Sequence, residues 1–129
     1  MDQKEFARAV AGRSGLSREE SADIARAVVP GLLGQLSETE AMRLAAELPG
    51  SLAYSLPAAP HRRHQGAHPV PVDDFIRQIS ERTGLTEDEA RTGTGAVLAT
   101  LREALSEDQY RHLTGQLPAG YLELMGTAS

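Results

Sequence analysis

The 129-residue chain has no cysteine, no tryptophan, two phenylalanines, three tyrosines and a single lysine, Lys4. Without cysteine there is no disulfide, no thiol nucleophile and no cysteine-bound metal. With so few aromatics and 40% hydrophobic residues, the core must be built from Leu, Val, Ile and Ala, which suits helices better than an aromatic-rich sheet. Long apolar runs are also missing: none approaches the ~20 residues of a membrane span. The opening "MDQKEFARAV" lacks the basic start and apolar stretch of a signal peptide, so the expectation is a cytoplasmic protein with no membrane partner. Positive charge is short too, with a net charge of −5, which opposes a polyanionic partner such as nucleic acid. The basic residues are 12 Arg against one Lys, beside abundant Ala, Gly and Leu, a bias typical of GC-rich bacterial genomes.

What the chain does contain is itself, twice. A shift of 69 positions aligns Phe6 with Phe75, Gly15 with Gly84, Leu16 with Leu85, Glu20 with Glu89, Val28 with Val97, Leu32 with Leu101 and Leu36 with Leu105. It continues ungapped through Ser37-Glu38 on Ser106-Glu107 and Leu48-Pro49 on Leu117-Pro118, giving 15 identities over the 51 positions from Phe6 to Leu56. A match of that length points to duplication of one unit.

Each unit carries the same helix punctuation. A first helix has Phe6, Ala9 and Val10, or Phe75, Ile76 and Ile79, on its inward face, and Gly15 or Gly84 closes it in the left-handed conformation. "SREE" from Ser17 and "TEDE" from Thr86 are capping boxes that start a second helix. Its apolar stripe is Ile24, Val28, Leu32 and Leu36, or Ala90, Thr94, Val97, Leu101 and Leu105. "SETE" from Ser37 and "SEDQ" from Ser106 start a third, with Leu44 and Leu48, or Tyr110, Leu113 and Leu117, turned inward. Pro suits a helix's first turn, so "LP" starts a short fourth helix that acts as a lid through Leu52 and Leu56, or Tyr121, Leu124 and Met125. Pro30 is expected to kink or split the second helix, and Gly93 and Gly95 to let its counterpart approach a neighbour closely.

The expected fold is all-α: two tandem four-helix units packed as a pseudo-two-fold eight-helix bundle with one shared core. Residues 1–56 form the first unit, 57–71 a linker with four Pro and three His, and 72–129 the second unit. Formal charge divides as −2, +2 and −5 over these segments.

This organisation resembles the bacterial domain-of-unknown-function family 2267. The features that carry the resemblance are "F…GL[ST]…E" at each unit's start, the run from the second helix through "LSE" into the third, and "ELP" or "QLP" before the last helix. The resemblance covers both units and implies a helical fold and a bacterial origin. It carries no activity to any residue.

Chemistry-bearing patterns are few. His61, His64 and His68 have metal-like spacing, but a Pro-rich segment has no scaffold to fix ligand geometry, and no carboxylate stands near to complete the set. Arg62 and Arg63 make too small a patch for nucleic acid between two acidic units without aromatic stacking partners. "RTGTGAV" at Gly93 and Gly95 has Leu98 where a dinucleotide loop needs its third Gly, and it lies inside a helical pattern. The acidic pairs Glu19-Glu20 and Asp73-Asp74 and the run Glu87 to Glu89 fall at helix starts, where the helix dipole favours them. No catalytic constellation, cofactor site or metal site is assigned.

Where the copies diverge, unit-specific contacts become possible. Leu33 aligns with Arg102 and Gly34 with Glu103, while Ala53 and Ser55 align with Leu122 and Leu124. Leu33, Gly34, Leu122 and Leu124 are therefore the candidate interaction surface, the alternative being that Leu33 and Leu122 pack across the interface between the units. The expected function is a non-enzymatic helical module in a regulatory or stress-related setting, working through a protein partner or self-association. The alternative is a small-molecule binder with an apolar pocket between the units.

Overall fold

Sequence patterning of this kind resolves into helices alone. The computed structural model describes residues 2–48, 70–118 and 120–127, in which there are seven α-helices and no strand. They are α1 (Gln3–Ser14), α2 (Arg18–Leu33), α3 (Glu38–Ala45), α4 (Val72–Thr83), α5 (Glu87–Ala104), α6 (Glu107–Gln116) and α7 (Gly120–Thr127). The first residues of α1, α2 and α3 lie 69 positions before those of α4, α5 and α6. The expected first lid, with Leu52 and Leu56, and most of the linker lie outside the described residues.

Local chemistry explains the boundaries. Gly15 and Gly84 close α1 and α4 at φ 79° and 78°, where a Cβ would be strained. Ser17 and Thr86 form full capping boxes: each hydroxyl accepts from the backbone of Glu20 or Glu89, whose carboxylate accepts from the cap residue's own N–H. The third helices make only half of the expected box. Ser37 and Ser106 accept from Glu40 and Gln109, but no return bond forms. At Ser106 the return partner comes from the other half of the chain, because Glu47 accepts from the Ser106 N–H at 2.8 Å and from its hydroxyl at 3.1 Å.

Pro30 does not split α2, which continues for three residues to Leu33. So close to the C-terminus, the missing amide and the ring clash fall on the final turns, and α2 stops two positions earlier in the repeat register than α5. The face of α1 is also rotated slightly from the expectation, with Ala7 rather than Ala9 fully buried beside Phe6 and Val10.

Among the described residues, 26 buried apolar side chains join one cluster, drawn from both halves. Helix α5 is its centre, packed against α1, α2, α4 and α7. The cross-half contacts are reciprocal: α1 lies on α5, α4 lies on α2, and α2 meets α5. Two glycines make this possible. A Cβ on Gly93 would overlap Ile24 Cδ1, and one on Gly31 would stand 2.7 Å from the Phe75 ring. The expected close approach at Gly93 is thus present, despite the roughly 1 kcal/mol that Gly costs in a helix relative to Ala.

Candidate interaction surface

The four residues that divergence between the copies singles out do not share an environment. Leu33 is 2% exposed and Leu124 3%, both within the core, whereas Leu122 is 47% exposed and Gly34 is half-buried. The expectation of an apolar surface at Leu33 is therefore corrected. Helix α2 has α1, α3, α4 and α5 packed around it, and Pro30, Leu32 and Leu33 of its last turn are all buried. Leu124 is turned inward because it lies three residues from Tyr121, on the face of α7 that covers α5.

Leu122 stands on the opposite side of the same helix. Within "GYLELMGT" only Glu123 is charged, whereas a surface helix ordinarily turns a polar stripe outward. Besides Leu122, Met42 on α3 is the other large apolar side chain exposed among the described residues, at 66%.

What fixes α7 is a polar network buried under it, which the sequence reading missed. Tyr121 is fully buried, and its hydroxyl donates to the Val70 carbonyl at 2.6 Å and accepts from Gln35 Nε2 at 3.0 Å. The Val70 N–H donates to Gln35 Oε1 at 2.8 Å, closing a three-membered ring of hydrogen bonds. The ring joins the end of α2, the residues entering α4, and α7. Burial pushes the Tyr121 hydroxyl up to about 12, the bond from Gln35 opposing that rise and the charge of Asp74 adding to it. Phe75 meets the Tyr121 ring edge to face, with centroids 5.4 Å apart. The clue lay in the register: Gln35 stands where the second copy has Ala104, and Tyr121 where the first has Leu52.

Arg13 crosses the halves in the same way, donating to Thr100 Oγ1 at 2.8 Å and pairing with Glu103 on α5. Its counterpart Arg82 finds Gly31 and Gly34 at the matching positions, which have no side chain to offer. Arg82 instead lines a cleft of about 410 Å³ between α2 and α4 with Asp23, Arg26, Ala27 and Thr83. This cleft between the halves is charged, not apolar. His61, His64 and His68 lie outside the described residues, and among the described residues no group of three His, Asp or Glu side chains is placed to hold a metal.

The family described as "Uncharacterized conserved protein (DUF2267)" matches residues 3–124, which takes in α1 to α6 and the first part of α7. The chain belongs to the DUF2267 family. The match spans the linker as well as the helices on either side of it. No curated protein matches the chain. Among the described residues no helix is long and apolar enough to cross a membrane.

Proposed function

We infer that this DUF2267 protein is a non-enzymatic helical module that associates through α7, with a second copy of itself as the first partner to test. The observation that carries this reading is Leu122, an exposed leucine on a helix with one charge in eight residues, whose inner face is already committed to the core. Burying such a side chain at an interface contributes roughly 1.5–3 kcal/mol, and the rigid seat that Tyr121 gives α7 reduces the ordering cost of association. The setting is a bacterial cytoplasm, and the architecture is a pseudo-two-fold bundle of two related units. The recurrence of helix starts at the 69-residue offset supports that architecture.

Light scattering on the full chain at high concentration tests the reading. The wild type should show concentration-dependent mass, and Leu122→Glu should abolish it with an unchanged melting temperature. A wild type that stays monomeric at high concentration, or a Leu122→Glu variant that associates equally well, overturns it.

A further inference from the structure

Lys4 and Arg8 on α1 and Arg18 in the first turn of α2 line an open groove of about 400 Å³, completed by Gln3, Ala7 and Ala22. The three cations are exposed, and among the described residues none makes an ion pair or a side-chain hydrogen bond. That is unlike Arg13, Arg26, Arg77, Arg91 and Arg111, each of which has a carboxylate within reach.

The second half supplies an internal control. Sixty-nine positions on, Lys4 is replaced by Asp73, Arg18 by Glu87 and Ala22 by Arg91, while Arg8 keeps its type as Arg77. The charges there neutralise one another: Arg91 stands 3.5 Å from Asp73, and Arg77 stands 3.9 Å from Asp74. Helices with matching first residues form in both halves, so folding does not require three unbalanced positive charges at this place. Local helix physics also disfavours one of them. A first turn prefers an acid, as Glu87 provides in α5, whereas Arg18 opposes the dipole of α2.

The geometry points to this groove as a binding site for a small phosphate-bearing anion. Two guanidinium forks and an ammonium match the charge and the oxygen geometry of a diphosphate. The volume falls within the roughly 300–1,000 Å³ of small-ligand clefts. Ala7 and Ala22 leave a low apolar floor for the organic part of the ligand. This site is separate from α7 and does not depend on the association proposed there.

The test is an NMR titration of the full chain with sodium pyrophosphate, at low and at physiological ionic strength. Wild-type binding should saturate, with backbone shifts centred on residues 3–8 and 18–22 and weakening as salt rises. The double variant Lys4→Asp with Arg18→Glu, which restores the second half's charges, should lose at least about tenfold in affinity while melting as the wild type does. Failure of millimolar pyrophosphate to saturate the wild type, or equal affinity in the variant, overturns the proposal. So does a short single-stranded oligonucleotide binding more tightly than pyrophosphate, which would reassign the groove to nucleic acid.

Discussion

Ile24 and Gly93 occupy the same place in the two halves of the chain, 69 residues apart, and they pack against each other where α2 meets α5. Two isoleucines would collide there. Helix α2 keeps the bulk at this contact and α5 gives it up, so the two helices approach closely only because the residues at matching positions are unequal.

Size at this contact should therefore be exchangeable but not additive. Ile24→Ala should cost about 2–5 kcal/mol through the cavity it leaves, and Gly93→Leu alone about 1–3 kcal/mol or more through overpacking. Combined, they should recover at least about 1 kcal/mol relative to the sum of the two. Denaturant melts of the four proteins check this, and strict additivity would separate the two positions energetically.

The ring under α7 predicts an asymmetric penalty. Tyr121→Phe preserves the contact with Phe75 but leaves the fully buried Gln35 amide without its acceptor, so it should cost about 1–3 kcal/mol. Tyr121→Phe with Gln35→Leu should be less destabilised than Gln35→Leu and Tyr121→Phe added together, because the bond between the two side chains is lost once instead of twice, with the Val70 N–H and carbonyl left as the unpaired groups. Thermal melts of the three variants decide it.

Alkaline pH should weaken the fold through the same hydroxyl. The Tyr121 hydroxyl titrates at about 12 in the folded chain, above its ordinary value near 10, so the native state favours the neutral phenol. The stability that follows is whole below pH ~10 and is lost as pH rises through 12, about 2–3 kcal/mol in all. Burial raises Tyr110 in the same direction, with Arg102 opposing, so the comparison must be with Tyr121→Phe. That variant should show a shallower loss of stability between pH 9.5 and 11.5, measured by urea denaturation.

Neither half should stand alone. Helix α1 rests on α5 and α4 on α2, so separation exposes the apolar faces of all four helices. Residues 1–60 and 70–129, expressed separately, should fail to melt cooperatively near the temperature of the intact chain. Mixed together, they should regain helicity by circular dichroism.

The sequence by itself determined where α1 and α4 end and where α2, α3, α5 and α6 begin, because those signals are local. A glycine that takes positive φ at Gly15 and Gly84, and a hydroxyl three residues before a carboxylate at Ser17 and Thr86, act within one turn of backbone. The stripes on α2 and α5 were legible for the same reason, since Ile24, Val28 and Leu32, like Val97 and Leu101, repeat at the helical period. Only the tertiary structure decided which side of a divergent residue faces a neighbour. Leu33 and Leu122 look alike in the alignment of the copies, yet Leu33 is sealed among four helices while Leu122 faces solvent. The pairing of Gln35 with Tyr121 across 86 positions, and of Arg13 with Thr100 across 87, is likewise set by how the two halves dock. Periodicity reports the direction in which a side chain leaves its own helix, and no local signal records what the other half of the chain places in front of it.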